Sequence, residues 1–292
     1  MQGGTHKAKD GTREFRIIIA GGGTGGHLFP GIAVARELEA RFEKTGVLFV
    51  VGRKRIESEI LSRYGYKVAS IDVEGLKGSG WRKGFKVLFK LPKSVFQSAS
   101  IIRGFSPALV LGMGGYSAGP ACVAARFLGL KTAIHEQNSY PGLTNRLLSR
   151  IVDRVFISFE KSREGFRNRS TFLTGNPVRN ELFARESTKV EDRNGFTILV
   201  VGGSQGARAV NRAFVESLTY LNKMGKYPEV IHQTGKIDHE QVSEEYRSRN
   251  LKGRIVPFIE DMVSAYNHAD LVVSRAGATT TVSYTHLTLP TN

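Results

Sequence analysis

The sequence has one cysteine in 292 residues and no apolar run long enough to cross a membrane. A single cysteine, Cys122, excludes an internal disulfide framework and a cysteine-built zinc site. Its small apolar neighbours predict a buried position in a helix. Residues 1–14 are polar and lack the apolar core of a signal peptide, so we expect a disordered leader there. This composition is typical of a protein kept in a reducing cytoplasm.

Acidic residues are also scarce, because 26 Asp and Glu stand against 42 Lys and Arg, giving a formal net charge of +16. Such a charge favours polyanionic partners: nucleic acid, anionic lipid or phosphorylated substrates. The sequence contains no Gly-x-x-x-x-Gly-Lys-Ser/Thr motif, which disfavours a P-loop NTPase. Its length allows two domains of ordinary size.

What the sequence does have is glycine, concentrated in turns that follow short apolar runs. In Phe15–His27, three isoleucines and an alanine predict a buried strand, and five of the next six residues are glycine. A helix opens at about Pro30. Free N–H groups and the positive end of the helix dipole would converge there, which predicts an anion site with His27 as an acid or base beside it. A tight turn without a ligand is the alternative.

Two further glycine turns and one polar cluster follow other apolar runs. The turns are Gly112–Pro120, after Ala108–Leu111, and Gly202–Gly206, after Phe196–Val201. The polar cluster is His135–Asn138. Open α/β sheets place their ligands just past the carboxyl ends of their strands, so all three segments are candidate binding loops.

Strand and helix patterns alternate throughout the chain. The alternation predicts an α/β protein with two doubly wound, Rossmann-like domains that face a cleft. We expect the first domain at 15–179, a polar linker at 180–195 and the second domain at 196–280.

One alternative reading starts from Gly21-x-Gly23-x-x-Gly26, which matches the dinucleotide-binding fingerprint. That fingerprint needs an acidic residue near the end of the second strand to bind ribose. Here Arg53 follows the predicted strand Val47–Val51. NAD is therefore disfavoured, and an NADP-dependent oxidoreductase stays open.

Residues 77–103 contain seven Lys and Arg and no Asp or Glu. Aromatic residues recur there at helical spacing, which predicts a helix that lies on anionic lipid. A core-facing helix with a basic outer face is the alternative. We expect Pro92 to end or kink this helix. Charge alone would also suit a non-enzymatic membrane-binding module. The aromatic residues and their basic neighbours are Trp81, Phe85, Phe89, Lys83, Lys86 and Lys90.

Seven motifs occur in an order that closely resembles the MurG family, and the resemblance covers about residues 15–280. It implies a GT-B glycosyltransferase that inverts the sugar and needs neither metal nor cofactor. The implied reaction transfers N-acetylglucosamine from UDP-N-acetylglucosamine to lipid I (undecaprenyl-diphospho-N-acetylmuramoyl-pentapeptide), forming lipid II in peptidoglycan synthesis. The motifs are Gly21–His27, Gly112–Pro120, His135–Asn138, Gly175–Arg179, Gly202–Ala207, Phe258–Met262 and Arg275–Thr280.

The resemblance also implies a place and partners. The family works as a peripheral protein on the cytoplasmic face of the bacterial membrane, so the expected partners are UDP-N-acetylglucosamine, lipid I and an anionic membrane surface. Nucleic acid is then not an expected partner. This assigns the basic segment 77–103 to membrane docking.

Residue roles follow from the same resemblance. His27 is the candidate general base, Tyr116 lies on the acceptor side, and Glu136, with His135, orients neighbouring groups. Ile259 presents its backbone to uracil. For each residue a purely structural role is the alternative. The expected substrate-binding residues are Thr24, Gly25, Gly26, Asn138, Arg179, Ser204, Gln205, Ile259, Arg275, Ala278, Thr279 and Thr280.

The sequence departs from the family after Thr280. Residues 281–292 contain no Asp or Glu, whereas the family has an acidic residue there that binds ribose. The family's late glutamine-containing donor loop is missing as well. We therefore expect a non-native tail at 281–292, an incomplete second domain and no turnover by the chain as written.

Overall fold

The computed structural model describes residues 14–23, 25–53, 55–73, 81–167, 170–178, 195–202 and 206–275. The chain divides into two compact units. The first comprises Met1–Gly23, Val34–Glu136 and Tyr140–Leu173, and the second comprises Thr24–Ala33, Gln137–Ser139 and Thr174–Asn292.

The first unit contains a seven-stranded sheet in which every neighbouring pair is parallel, in the order β3-β2-β1-β4-β5-β6-β7. Apolar residues on both faces of β1 and β2 are buried, as expected for a parallel sheet covered on both sides. The strands are β1 Phe15–Gly21, β2 Thr45–Gly52, β3 Lys67–Ile71, β4 Leu109–Gly114, β5 Lys131–Glu136, β6 Arg154–Ile157 and β7 Thr171–Leu173.

Helices connect most of these strands, as parallel neighbours in a sheet require crossover connections. Helix α1 starts in the second unit and ends in the first. A 3₁₀ helix, Glu160–Gly165, precedes β7. The α-helices are α1 Gly25–Arg41, α2 Arg55–Arg63, α3 Trp81–Phe105, α4 Ala118–Phe127 and α5 Leu143–Leu148.

Helix α4 packs closely on the sheet because its inner face carries small residues. Ala121, Ala124 and Cys122 are buried in the same core as the central strands. A Cβ atom on Gly112 would lie 2.9 Å from Cys122 Sγ, so glycine is needed for this approach. Burial raises the pKa of the Cys122 thiol to about 12. The prediction of a buried helical cysteine is confirmed.

Strand β4 is longer than the sequence pattern predicted. We expected the strand to end at Leu111 and a loop to begin at Gly112, but the strand continues to Gly114. Gly112 and Gly114 pair with Ala20 and Gly21 of β1. The prediction was wrong because glycine ordinarily weakens a strand, whereas here the absence of side chains lets β4 lie against α4 and β1.

Helix α3 runs for 25 residues and continues through Pro92, so the expectation of a helix end there was wrong, and the alternative expectation of a kink stays a prediction. A proline removes one backbone donor, and anchoring contacts beyond it can hold the helix together. One such anchor is Asp72, just after β3. Its carboxylate pairs with Lys93 at 2.9 Å, and its backbone N–H donates to Gln97 Oε1 at 2.8 Å. None of the described helices is long and apolar enough to span a bilayer.

The second unit has a four-stranded parallel sheet in the order β10-β9-β8-β11. Alternate residues of β8 face different cores: Ile198 and Val200 pack with α6 and α7, and Leu199 and Val201 pack with α8. Helices on both faces make this a doubly wound sheet, so the predicted α/β class is confirmed. The elements are β8 Thr197–Val201, α6 Arg208–Lys223, β9 Glu229–Gln233, α7 His239–Ser248, β10 Arg254–Val256, α8 Met262–Asn267 and β11 Leu271–Ser274.

The unit boundary differs slightly from the expected domain boundary. The longest segment of the second unit begins at Thr174, ahead of the predicted end of the first domain at residue 179. Val178 packs against Leu199 and Val201 of the second sheet, which explains why this segment belongs there. Residues of the expected linker at 180–195 lie largely outside the described part of the chain.

Candidate functional site

The strand order of the first sheet reverses between β1 and β4, and ligands of doubly wound folds bind at such a point. Two glycine segments meet there. Gly21 ends β1, Gly114 ends β4, and Gly115 has φ +77°. A Cβ atom on Gly115 would collide with the carbonyl oxygen of Gly22, so the segments pack backbone to backbone. Tyr116 follows and is partly exposed.

A carboxylate that the sequence analysis missed lies against the first glycine turn. Glu57, in the first turn of α2, is buried, and its Oε1 accepts the N–H of Gly23 at 2.5 Å. The sequence does carry a signal for it. Glu57 shares a helix face with Leu61, four residues later, which is fully buried. An acidic residue in phase with a buried leucine is unusual enough to mark a partnered charge.

Glu136, at the end of β5, is only 1% exposed. Its Oε2 accepts hydrogen bonds from Asn145 Nδ2 at 2.9 Å and from the backbone N–H of Gly142 at 3.1 Å. Asn145 also donates to the carbonyl oxygen of His135 at 3.2 Å. These contacts stabilise the loop that follows β5. They agree with Glu136 as a residue that orients its neighbours rather than one that contacts substrate.

His27 lies in the first turns of α1, two residues after the helix begins at Gly25. Its Nδ1 is 3.1 Å from Gln137 Oε1, and both residues belong to the second unit. A carbonyl oxygen can only accept, so Nδ1 carries the proton and Nε2 is the basic nitrogen. Gln137 is buried, whereas Asn138 beside it is exposed. The role of Gln137 was missed, because nothing local links it to a histidine 110 residues away.

At the second sheet, Gly202 follows β8 and Arg275 follows β11, the two strands between which the order reverses. Arg275 is exposed. Ile259 lies just after β10 with its side chain buried among Leu199 and Val201. Its backbone N–H donates to Gln233 Oε1 at 2.9 Å. That amide is therefore already engaged within the protein, and Gln233, at the end of β9, is a further residue that the sequence analysis missed.

A buried polar network supports the loop after β9. His232 Nδ1 lies 3.0 Å from the Tyr246 hydroxyl, and His232 Nε2 lies 3.2 Å from Asn211 Oδ1. Asn211 Nδ2 in turn donates to the Thr234 carbonyl at 2.9 Å and to Asp238 at 3.2 Å. Burial lowers the pKa of His232 to about 4 and raises the pKa of Tyr246. Both rings are therefore neutral at pH 7.

Both halves of the chain match known glycosyltransferase domains. Residues 17–157 match the glycosyltransferase family 28 N-terminal domain, and residues 197–291 match the glycosyltransferase family 28 C-terminal domain. The UDP-N-acetylglucosamine–N-acetylmuramyl-(pentapeptide) pyrophosphoryl-undecaprenol N-acetylglucosamine transferase of Syntrophus aciditrophicus (strain SB) is 47% identical over 270 residues. That match covers 92% of this chain and 75% of the relative. The chain belongs to the MurG family.

Further matches agree with this MurG-family membership. The transferase of the same name from Geobacter sp. (strain M21) is 46% identical over 273 residues, with 92% of this chain and 73% of the relative covered. The crystal structure of Acinetobacter baumannii MurG superposes with a TM-score of 0.65 at 30% identity. It covers 94% of this chain and 76% of that one. The predicted GT-B fold is thereby confirmed.

Membership of the MurG family argues against the two alternative functions, an NADP-dependent oxidoreductase and a non-enzymatic membrane-binding module. The oxidoreductase reading depended on Arg53 as a ligand for a 2′-phosphate, and Arg53 Nε instead pairs with Asp72 Oδ1 at 2.6 Å. The hydrogen bond from the Lys93 ammonium, followed by the charge of the Arg53 guanidinium, holds the pKa of the Asp72 carboxyl below its usual value. A membrane-binding module without an activity does not account for two matched glycosyltransferase domains.

Several predicted site residues of this MurG-family chain lie outside the described residues. The backbones of the six predicted membrane-contact residues at 81–90 lie within α3, but their side chains are not described. Within the described ranges there is no cluster of three or more His, Cys, Asp or Glu side chains able to hold a metal ion. The predicted binding residues outside the described part are Thr24, Arg179, Ser204, Gln205, Ala278, Thr279 and Thr280.

Proposed function

We propose that the residues of this chain serve the reaction named for its relatives: transfer of N-acetylglucosamine from UDP-N-acetylglucosamine to lipid I, which yields lipid II. The observation that carries the proposal is the match of both halves to one glycosyltransferase family, together with relatives of that activity at 46–47% identity. The matches include both sheets and the loops at their carboxyl ends.

His27 is the residue that we propose as the general base. With Nδ1 donating to Gln137, Nε2 is free to take the proton of the acceptor hydroxyl. The hydroxyl oxygen then attacks the anomeric carbon of the donor sugar. The bond to the diphosphate breaks as the new bond forms, and UDP leaves with the electron pair. Attack from the opposite face inverts the anomeric centre.

Donor binding is proposed for the second unit. Without a metal, the charge on the leaving diphosphate would be stabilised by backbone N–H groups and a helix N-terminus, which a glycine turn before α6 provides. Ser204, Gln205, Arg179 and Arg275 are the side chains proposed to join it. Because the Ile259 N–H is donated to Gln233, we assign the uracil contact to the Ile259 carbonyl oxygen.

Membrane docking is proposed for the first unit, through α3, α4 and α5. Helix α4 packs against both other helices, so the three are neighbours. Each exposes a large apolar side chain: Phe96 on α3, Phe127 on α4 and Leu143 on α5. Basic residues lie around these helices, and residues 138–152 contain no Asp or Glu. An apolar surface with a basic rim is the pattern that binds anionic bilayers.

Calorimetric titration of the chain with UDP-N-acetylglucosamine in EDTA tests the donor site. We expect binding without added metal, and weaker binding by Ser204→Ala and Arg179→Ala. Lys252→Ala, a substitution at an exposed position of the same unit, is the matched control. A strict Mg²⁺ requirement, or equal binding by all variants, would refute the proposed site. Transfer to a lipid I analogue is then assayed with the Syntrophus aciditrophicus relative as positive control.

A further inference from the structure

A carboxylate from helix α2, that of Glu57, lies against the first glycine turn. Gly22 and Gly23 connect β1 to the start of α1, and Gly23 has φ +93°. The Gly23 N–H is donated to Glu57 Oε1 at 2.5 Å. Glu57 is 5% exposed, so water does not compete for this bond. The two residues are 34 positions apart, and α2 brings the carboxylate to the turn.

The carboxylate is in direct contact with the backbone of the turn. A Cβ atom on Gly22 would lie 2.5 Å from Glu57 Oε2 and 3.1 Å from its carboxyl carbon. Gly115 packs on the carbonyl oxygen of the same Gly22. No side-chain atom fits between Gly22 and the carboxylate, which therefore fills the concave space that the glycines create.

A glycine turn between a strand and a helix N-terminus ordinarily gives its N–H groups to a bound anion. In this chain an internal carboxylate takes that position at Gly23. A second anion at the same amide would lose the hydrogen bond and would lie within a few ångströms of a like charge. The turn therefore differs from the phosphate site that its glycine pattern predicts.

We propose that Glu57 is the resident anion of the first glycine turn. It is a positioning residue: its carboxylate holds Gly22 and Gly23 in their observed conformation and excludes other anions from the Gly23 amide. Glu57 would have this role whether or not the chain carries out the proposed transfer, because the role depends only on the shape and charge of the turn. The diphosphate of the proposed donor would then bind at the glycine turn of the second unit.

Anion rescue distinguishes this role from ordinary structural support. In Glu57→Ala the lost carboxylate leaves a space of the right charge and size for formate. We expect formate, titrated against chloride at constant ionic strength, to raise the thermal midpoint of this variant in a saturable way, because an anion that binds only the folded state stabilises it. We expect no such response in the unmodified chain, in Glu57→Gln, which refills the space, or in Glu59→Ala, an exposed change on the same helix.

Hydrogen exchange supplies the local readout. Peptides that cover residues 15–33 should exchange faster in Glu57→Ala and return to the original rate in formate, while peptides from β5 and β6 stay unchanged. If Glu57→Ala is unfolded in chloride, we expect formate to refold it. The proposal is overturned if formate neither refolds nor stabilises Glu57→Ala, or if it stabilises all four proteins equally.

Discussion

At the scale of single residues, the proposed chemistry depends on one histidine and the amide that orients it. Gln137 fixes which nitrogen of His27 is basic, and a general base must present its unprotonated nitrogen to the acceptor hydroxyl. Glu57 and Gln233 act in the same indirect way, since each engages a backbone N–H beside a proposed binding group. These three polar side chains are buried, so they position other groups.

His27→Ala should lower turnover by roughly 10²–10⁴-fold, the range for loss of a general base, with donor affinity nearly unchanged. Gln137→Ala should cause a smaller loss, because the imidazole stays but its tautomer is no longer selected. Rates are measured with the chain joined to the part of the Syntrophus aciditrophicus relative that it does not cover, so that the full family length is present. His268→Ala, an exposed histidine, is the control. Unchanged turnover in His27→Ala would reduce this residue to a structural role.

At the scale of elements, a local sequence pattern predicts where glycine turns occur, but it predicts less well where a strand or a helix ends. The glycine segments and helix α3 show this difference. The pattern correctly placed glycine-rich backbone at the ends of β1, β4 and β8. It misjudged where β4 ends, because whether glycine breaks a strand depends on the neighbour that needs the space. It also allowed a helix end at Pro92 that does not occur, and the contacts of Lys93 and Gln97 with Asp72, which hold α3 beyond Pro92, come from a distant strand end.

Changing Lys83, Lys86 and Lys90 together to Glu should abolish binding of the chain to anionic vesicles. Each basic residue near such a surface contributes about 1 kcal/mol, and the reversal of three charges turns attraction into repulsion. The measurement is co-sedimentation with vesicles rich in anionic lipid. Lys223, Lys226 and Lys252 changed to Glu carry the same change in net charge on the second unit and should still bind. Equal binding by both triple variants would show that α3 does not dock.

At the scale of the whole molecule, the second unit should lose stability in acid, because it contains the buried neutral His232. The folded-state pKa of His232 is about 4, below the ordinary value of 6.5. Between these values the unfolded chain binds a proton that the folded unit does not. Stability from this group is therefore fully present above pH 6.5 and is lost as the pH falls toward 4.

The loss from His232 between pH 7 and pH 5 should be about 2 kcal/mol of unfolding free energy. Pulsed hydrogen exchange in urea, read on peptides from β8 and β9, measures it for the second unit. His232→Gln does not titrate and should remove most of the dependence, whereas the exposed His268→Gln should keep it. A His232→Gln unit that loses the same stability between these pH values would contradict the argument. The dependence would then be assigned to Asp238, which accepts from Asn211 and pairs with Arg208.

The sequence by itself determined the α/β class, the two doubly wound sheets, the family and the loops at which ligands are expected. Those features are encoded locally, because apolar periodicity and glycine turns depend on residues that are close in the chain. Only the tertiary structure decided that Glu57 occupies the first glycine turn, that Gln137 orients His27 and that Gln233 engages Ile259. These pairs are 34, 110 and 26 residues apart, and a local pattern shows which residues are buried but not which distant residue each of them meets.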